Sequence, residues 1–191
     1  RPKRMRDRLR ELGLRVKIGG VPERWAAARA GVAAFGRNCF VYAGKYGSWI
    51  NIESFRVDAH LQPDTPSLAL ACPPQCTACI DACPTGALSA PLQMRYEHCV
   101  AHLTYSAPEP IDASLWERMG CWVYGCDRCQ EICPLNHSAW KEDDDAPWLR
   151  RLVPYLCAEA LRTMDQRTYE DVVHPSFWYI PRDNRSRWQR N

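Results

Sequence analysis

The chain of 191 residues contains no apolar run that approaches the roughly 20 residues of a membrane-spanning helix. Three of its first four residues are basic, and no apolar stretch follows that would make a signal peptide. No internal repeat is visible, and the net charge of +3 is too small by itself to indicate a nucleic-acid-binding protein. The sequence therefore predicts a protein that has no membrane partner and is not exported.

The charges that are present concentrate at the two ends of the chain. Residues 1–10 contain six arginine or lysine residues, and residues 182–190 contain four arginines around a tryptophan. Clustered arginine beside an aromatic ring suits phosphate contact and base stacking. The alternative is that residues 1–10 form the solvated face of an amphipathic helix with Met5, Leu9 and Leu12 inside. Charge alone does not decide between the two.

Cysteine is abundant, with 11 residues in the chain. Most of them form two runs that each end in Cys-Pro after a C-x2-C-x3-C spacing: Cys72, Cys76, Cys79 and Cys83, then Cys99, Cys126, Cys129 and Cys133. Three thiolates at this spacing reach three corners of one 4Fe–4S cubane, and the fourth cysteine, which precedes proline, is free to reach the other cubane. We therefore predict two 4Fe–4S clusters with interlaced ligands.

The interlacing assigns four cysteines to each cluster. The first cluster takes Cys72, Cys76, Cys79 and Cys133, and the second takes Cys83, Cys99, Cys126 and Cys129. The first run departs from the usual spacing because three residues separate Cys72 from Cys76, and we expect the two prolines between them to absorb the extra length. If the long gap between Cys99 and Cys126 folds differently, Cys121 is an alternative ligand.

Two other classes of protein use clustered cysteines. A disulfide-rich secreted protein is short and dense in cysteine, whereas this chain has an odd number of cysteines at cluster spacings. A four-cysteine zinc site accounts for the C-x2-C pair in each run, but it does not require the added Cys-Pro at the same offset in both runs. Exposed clusters and free thiols also favour a reducing compartment, so we expect a cytoplasmic protein.

The remaining cysteines and the histidines receive no role in binding metal. Cys39, in a predicted strand, and Cys157, on a predicted helix, are expected to be small buried hydrophobic side chains. Lone histidines more often make ordinary polar contacts, so none is assigned as a ligand.

Local patterns divide the chain into three segments of a predicted α+β fold. Residues 1–66 form an α/β segment, and residues 67–140 form a dicluster ferredoxin-like module with a helix around 114–119. Residues 141–191 contain an acidic linker and a helical tail, with the helix predicted through 149–161.

The first segment has a clear order of predicted elements. A helix over 4–12 precedes a strand at 14–18, and a second helix follows at 22–30. The β-branched and aromatic runs at 39–42 and 48–52, separated by a glycine-bounded loop, predict a hairpin.

Longer motifs surround the cysteines. Downstream they are TACIDACPTGAL at 77–88, Cys99 with HLT at 102–104, MG at 119–120 and YGCDRCQEICPLN at 124–136. Upstream they are ERWAAARAG at 23–31, FGRN at 35–38 and YGSW at 46–49. Together these segments resemble the epoxyqueuosine reductase family, and the resemblance covers most of residues 20–137.

The resemblance implies a cobalamin-dependent reductase related to the reductive dehalogenases. Such a protein joins a nitroreductase-like cobalamin domain, to which residues 1–66 would belong, to a dicluster ferredoxin-like module. Its clusters pass single electrons to cobalamin, which removes the epoxide oxygen in the last step of queuosine synthesis on tRNA. The resemblance also implies Gly36, Arg37 and Asn38 as corrinoid-binding residues, flavodoxin or ferredoxin as electron donor, and tRNA as partner.

The sequence departs from the family upstream of the clusters. The family's cobalamin domain extends well before the position of Arg1, so we expect the back half of a longer protein or a reduced relative. The family's acidic proton donor aligns near Lys17, where no acid stands. Glu23, at a predicted helix start, is expected to interact with the helix dipole. No catalytic residue is therefore assigned.

These observations predict an iron–sulfur oxidoreductase, resembling epoxyqueuosine reductase, that passes electrons to a corrinoid. The alternative is a stand-alone dicluster ferredoxin-type protein that transfers electrons without substrate chemistry of its own. General acid assistance is typically worth ~100 to 10,000-fold in rate. We therefore expect these 191 residues to bind clusters but not to reduce epoxyqueuosine at a useful rate.

Overall fold

The computed structural model describes residues 2–107, 111–137, 147–177 and 180–190. The chain forms two compact units, each made of several segments. The first unit comprises Arg1–Ala82, Leu88–Met94 and Cys129–Trp140, and the second comprises Cys83–Ala87, Arg95–Arg128 and Lys141–Asn191. Helices and strands are both present, which confirms the predicted mixture of α and β structure. The predicted division into three sequence segments stays a prediction.

The first unit combines short helices with three antiparallel strand pairs. Its helices are α1 (Pro2–Glu11), α2 (Glu23–Arg29) and α3 (Ala78–Asp81). Its strands are β1 (Val16–Ile18), β2 (Ala34–Phe35), β3 (Val41–Tyr42), β4 (Phe55–Val57), β5 (Leu88–Ala90) and β6 (Gln93–Met94). β1 pairs with β4, β2 with β3, and β5 with β6.

Alanine-rich α2 supplies the apolar core of the first unit. Pro22 precedes the helix, and Glu23 places an acid in its first turn, where the helix dipole favours negative charge. Ala27 packs with Ala33 and Val41, and the side chains of Phe35, Ile50 and Ile52 lie against this cluster. The predicted helix at 22–30 is confirmed.

Helix α1 is present as predicted but buries no residue. Met5 is 53% exposed and Leu12, just after the helix, is 65% exposed. The expectation that these two side chains lie inside is therefore wrong for the described part of the chain.

The predicted hairpin between residues 39–42 and 48–52 is wrong. β3 pairs with β2 instead. The turn between them runs through Cys39, whose φ of 66° is incompatible with the predicted strand. The backbone N–H of Ser48, assigned to the second strand of that hairpin, donates to Oδ1 of Asn136 at 2.8 Å. A side chain far along the chain has taken the place of the expected strand partner.

The second unit is mainly helical. Its elements are α4 (Val100–Tyr105), α5 (Ala113–Met119), α7 (Pro147–Leu152), α8 (Ala158–Thr163), α9 (Gln166–Thr168), a π-helical turn (Tyr169–Val173) and α10 (Arg185–Arg190). Helix α6 (Arg128–Glu131) has its first residue in this unit and its other three in the first unit. The helix predicted around 114–119 is confirmed as α5. Its N-cap is Asp112, whose carboxylate accepts from the Ser114 N–H.

Two apolar clusters form the core of the second unit. The first joins α4 and α5 and contains Val100, Leu103, Ala107, Ile111, Leu115 and Met119. The second joins the C-terminal helices and contains Leu152, Leu161, Met164, Tyr169, Val173 and Ile180. Buried helix faces on this scale supply most of the driving force for a small helical unit.

The single helix predicted through 149–161 is interrupted. Pro154 has no N–H to continue the ladder, and α7 gives way to a 3₁₀ turn at Val153–Tyr155 before α8 begins. Cys157 is the exposed N-cap residue of α8, so the expectation that it is buried is wrong. The predicted acidic linker lies outside the described residues.

Among the residues that the structure describes, every helix is too short or too polar to cross a bilayer.

Candidate metal centres

Four of the predicted ligands converge within the first unit. Cys79 lies on α3, and Cys133 directly precedes a 3₁₀ turn at Pro134–Asn136; both are 7% exposed. Burial first, and then the neighbouring thiolates of Cys72, Cys133 and Cys76, raise the pKa of Cys79 to about 11. We call Cys72, Cys76, Cys79 and Cys133 the first cysteine group. Mutual repulsion between thiolates is the environment that bound cations relieve.

Two hydrogen-bond donors point at sulfurs of this group. The backbone N–H of Arg37 donates to Cys72 Sγ at 3.2 Å. The Tyr42 hydroxyl donates to Cys133 Sγ, also at 3.2 Å. Sulfur is a weak acceptor as a neutral thiol and a better one as a metal-bound thiolate, so these donors suit ligands of a cluster.

Asn38 holds Tyr42 in place. Its Nδ2 donates to the Tyr42 hydroxyl at 2.8 Å and to the Cys129 carbonyl at 3.1 Å. Its Oδ1 accepts from the Phe40 N–H at 3.2 Å. Gly36 leaves room for this arrangement, because a Cβ there would collide with the Tyr42 ring. Burial, followed by the hydrogen bond to Cys133, raises the pKa of Tyr42, so its hydroxyl keeps its proton at neutral pH.

A second buried polar cluster holds the segment that contains Cys133. Asn136 Nδ2 donates to Ser48 Oγ and to the Gln130 carbonyl, both at 2.8 Å. Ser48 Oγ donates to Gln130 Oε1 at 2.8 Å. Gly47, with φ 58°, lets its backbone approach this cluster, since a Cβ there would collide with Asn136 Oδ1. We call Ser48, Gln130 and Asn136 the polar clasp.

The remaining predicted ligands are divided between the units. Cys83, Cys99 and Cys126 belong to the second unit and form what we call the second cysteine group. Burial first, and then the thiolates of Cys99 and Cys83, raise the pKa of Cys126, against a lowering by the Arg128 N–H. Cys129 belongs to the first unit, and its place among the ligands of the second cluster rests on the C-x2-C spacing alone.

Local contacts fix the loops of the second cysteine group. The hydroxyl of Thr104, a fully buried residue, accepts from the Gly125 N–H at 3.0 Å, directly before Cys126. Arg118 Nε donates to the Pro84 carbonyl at 3.2 Å, directly after Cys83. The hydroxyl of Thr85, a residue only 1% exposed, finds no partner among the described residues. An orphaned buried donor two residues after a ligand fits a site that presents sulfide and thiolate acceptors.

The other three cysteines belong to neither cysteine group. Cys121 is exposed, as is Cys157, and Cys39 is half-buried in its turn. Burial raises the pKa of Cys39. The suggestion that Cys121 substitutes for a ligand stays a prediction.

The three residues predicted to bind a corrinoid differ in whether they have polar atoms available for a ligand. The Asn38 amide is committed to internal hydrogen bonds, and Gly36 is buried beneath the Tyr42 ring. Arg37 has a buried Nε without a partner among the described residues, so it fits a polar ligand group best.

A cavity of about 500 Å³ lies in the same unit, lined by Glu23, Arg24, Trp25, Phe35, Cys39 and Leu92. Glu23 Oε1 accepts from the Ser54 hydroxyl at 3.3 Å, so this carboxylate has a structural partner as well as a place in the cavity wall. Lys17 lies on β1 opposite Arg56 of β4. Two basic side chains therefore occupy the position at which the resemblance implies an acidic residue.

The basic N-terminal segment has its own ion pairs. Arg6 pairs with Asp7 and Arg8 with Glu11, both at 2.8 Å, as on a solvated helix face. In the C-terminal basic segment, the side chains of Arg187, Trp188 and Arg190 lie outside the described residues.

Sequence reasoning missed Tyr42 and the polar clasp. Their signals were present but weak: a tyrosine at the end of a β run, a Gly-Ser pair, and an asparagine three residues after the final Cys-Pro cysteine. None of these patterns indicates a partner more than 80 residues away.

Comparison with known proteins gives consistent matches. Residues 72–136 match the 4Fe-4S double cluster binding domain family. The chain is 35% identical over 124 residues to the epoxyqueuosine reductase of Bacillus subtilis, an alignment that covers 63% of this chain and 31% of the relative. It is 32% identical over 203 residues to the epoxyqueuosine reductase of Xanthomonas campestris pv. campestris, which covers 99% of this chain and 56% of the relative.

A solved structure agrees with these relatives. A crystal structure of epoxyqueuosine reductase with a tRNA-Tyr epoxyqueuosine-modified stem loop matches with a TM-score of 0.79 and 27% identity, covering 98% of this chain and 50% of that one. The chain thus spans between 31% and 56% of the length of these proteins. The predicted relationship is confirmed: the chain is a homologue of the epoxyqueuosine reductases over that part of their length, and it carries a 4Fe-4S double cluster binding domain.

Proposed function

We propose that the chain binds two 4Fe–4S clusters and transfers electrons between them and a bound corrinoid. The first cysteine group would hold one cluster, and Cys83, Cys99, Cys126 and Cys129 would hold the other. The observation that carries this proposal is the grouping of cysteines in each unit, with Cys79 and Cys133 buried and with Arg37 and Tyr42 donating to sulfurs of the first group.

When bound, the clusters supply one-electron transfer and the corrinoid supplies reductive cobalt chemistry. The chain's own residues provide the surroundings. Burial of Cys79 and Cys133 excludes water from two sulfurs of the first group. The donors on Cys72 and Cys133 orient those sulfurs and stabilise negative charge on them. The unpaired Arg37 Nε is the group we propose for a polar contact with the corrinoid.

We propose that the reaction these electrons serve is the reduction of epoxyqueuosine in tRNA. The support is the similarity to epoxyqueuosine reductases, one of which has been crystallised with a modified tRNA stem loop. Flavodoxin or ferredoxin is the class of donor that we propose for the electrons.

A specific observation favours the second candidate, a dicluster electron-transfer protein without its own substrate chemistry. The position near which an acid is expected holds Lys17, and Arg56 lies opposite it. Glu23 is the carboxylate in the wall of the cavity, and it accepts a hydrogen bond from Ser54. Two basic side chains at this position suit a protein that transfers electrons and leaves substrate chemistry to another site.

The first experiment tests the clusters. Protein purified without oxygen should contain about eight iron atoms and about as many sulfides per chain, as two cubanes require, and its reduced form should give two one-electron signals in electron paramagnetic resonance (EPR) spectra. Bound zinc with little iron would end the proposal.

The second experiment separates the two candidates. The cluster-loaded chain is incubated with cobalamin, desalted, and examined for retained corrinoid by absorbance. It is then supplied with a strong one-electron reductant and tRNA that bears epoxyqueuosine, and queuosine is measured. Retained corrinoid supports the reductase, whereas intact clusters without retained corrinoid support the electron-transfer protein. Multiple turnovers would overturn the expectation that these residues alone do not reduce epoxyqueuosine.

A further inference from the structure

Tyr42 occupies an unusual place for a tyrosine on a short strand. It is 5% exposed, and its hydroxyl donates to the sulfur of Cys133, a residue 91 positions later in the chain. A buried hydroxyl normally pairs with an oxygen or nitrogen acceptor, and sulfur is a weaker one. The hydrogen bond to sulfur therefore points to a role for Tyr42 in the chemistry of that sulfur.

The surroundings direct the Tyr42 proton to that sulfur. Asn38 Nδ2 donates to the Tyr42 oxygen at 2.8 Å, which occupies an acceptor site of the hydroxyl and leaves its proton for Cys133. The same amide donates to the Cys129 carbonyl, so Asn38 is fixed at both ends. A donor that itself accepts a hydrogen bond is polarised and donates more strongly.

We propose that Tyr42 raises the reduction potential of the cluster held by the first cysteine group, through its hydrogen bond to the ligand sulfur of Cys133. The inference rests on the proposed ligation of that cluster by Cys133. Adding one electron to a cluster adds negative charge, part of which falls on the ligand sulfurs. A donor aimed at such a sulfur stabilises the reduced form more than the oxidised form, so the potential rises.

Tyr42 keeps its proton throughout, and the electron comes from an external one-electron reductant of the flavodoxin or ferredoxin class. No proton transfer or covalent step is required of the side chain. Its role is to tune a cofactor through a ligand, which makes it a positioning residue.

The test is a redox titration of the cluster-loaded Tyr42→Phe variant, followed by EPR. We expect about a tenfold fall in the reduced-to-oxidised ratio of one cluster at a fixed ambient potential, which corresponds to a shift of about 59 mV to more negative values for a one-electron couple. The transition of the other cluster should not move. Tyr46→Phe is the matched control, because Tyr46 is 60% exposed and lies in the same segment.

A second variant protects the test against misfolding. Incorporating 3-fluorotyrosine at position 42 nearly preserves the shape of the ring and makes the phenol a stronger donor. The reduction potential of the cluster held by the first cysteine group should then shift to more positive values. A purely structural role for Tyr42 does not predict opposite signs for the two changes. Both clusters present, with potentials equal to those of the wild type in either variant, would overturn the inference.

Failure of the proposed function gives a different result. If Cys133 is not a ligand, Cys133→Ala retains both clusters, and the assignment fails before any potential is measured. If Cys133→Ala loses one cluster while the fluorotyrosine protein keeps its wild-type potentials, the ligation stands and the role of Tyr42 fails.

Discussion

The two cysteine groups are held by different kinds of contact. The first group depends on buried polar bonds between residues far apart in sequence: Tyr42 to Cys133 spans 91 positions, and Ser48 to Asn136 spans 88. In the second group, Cys126 packs against an apolar cluster of α4 and α5, and its loop is fixed by Thr104, only 21 positions from Gly125.

This difference has consequences for how each group tolerates change. Polar networks are directional, so the loss of one member leaves its buried partners unsatisfied. Apolar packing is less directional, and substitutions that conserve volume are tolerated within it. We therefore expect the first group to respond to single polar substitutions more sharply than the second, and the following variants test that comparison.

The largest effect should come from removing one ligand in each group. Cys79→Ala and Cys126→Ala should each lose one cluster, so that iron falls from about eight to about four atoms per chain. The cause is direct, since a cubane with an open corner in a protein loop is readily lost. Iron and sulfide analysis of protein purified without oxygen measures the effect, and EPR shows which of the two signals is lost in each variant.

Cys121→Ala is the control for Cys126→Ala. Cys121 is exposed and lies close to Cys126 in sequence, so its replacement should leave both clusters in place. Loss of a cluster in Cys121→Ala together with retention in Cys126→Ala would show that the second run is misassigned.

Removing the centre of the polar clasp should give the next largest effect. Asn136 is 2% exposed and its amide makes three hydrogen bonds, to Ser48 N, Ser48 Oγ and the Gln130 carbonyl. Asn136→Ala leaves buried donors and acceptors without partners, which should lower the free energy of unfolding by about 3 kcal/mol. Anaerobic urea unfolding followed by circular dichroism measures this change.

Asn51→Ala is the matched control, because Asn51 is an exposed asparagine of the same unit. Its midpoint should stay close to that of the wild type. Equal midpoints for the two variants would mean that the clasp contributes no net stability and that the contrast between the groups does not hold.

The corresponding change in the second unit should be smaller. Thr104→Val keeps the volume of the side chain but removes the acceptor for the Gly125 N–H. We expect a loss of about 1–2 kcal/mol of stability and faster release of one cluster, with the other unaffected. Thr104→Ser restores the hydroxyl and should recover most of the wild-type behaviour. Anaerobic urea unfolding measures the stability, and the rate of cluster bleaching with a chelator measures the release. A loss of stability as large as that of Asn136→Ala would contradict the comparison.

The same contrast explains what the sequence could predict. The spacing of Cys76, Cys79 and Cys83 is a local covalent property that reports directly on cluster geometry, and residues 72–136 indeed match a double cluster domain. The assignment of individual cysteines to each cluster stays a prediction. Helix α2 was also predictable, because its proline start and alanine face are local signals.

The errors arose where a distant side chain decides the backbone. The run at 48–52 has β propensity, but the Ser48 N–H bonds to Asn136 and no strand forms there. No local pattern reveals that partner, just as none links Tyr42 to Cys133. The interrupted C-terminal helix is a different case, because Pro154 is a local breaker whose effect was predictable.

The smallest effect should come from the exposed ion pair between Arg15 and Asp58. The Asp58 carboxylate accepts two hydrogen bonds from Arg15, beside the ends of β1 and β4. The backbone N–H of Arg15 donates at 2.7 Å and its side-chain Nε at 2.6 Å. These bonds hold the pKa of Asp58 below its usual range. The carboxylate is therefore ionised at neutral pH, and its contribution to stability, complete above the usual pKa of Asp, is lost as the pH falls through the lowered pKa.

Asp58→Asn should accordingly lower the urea midpoint only slightly at pH ~7, because both partners are exposed to solvent. The difference from the wild type should shrink further in about 1 M salt, where the Debye length falls to about 3 Å. Asp64→Asn, at an exposed carboxylate of the same unit, is the control and should leave the midpoint unchanged at either salt concentration. A decrease for Asp58→Asn as large as that for Asn136→Ala would mean that exposed charge pairs stabilise the first unit as strongly as its buried polar clasp. The difference between the two cysteine groups would then depend on exposed charge pairs and not on buried polar contacts.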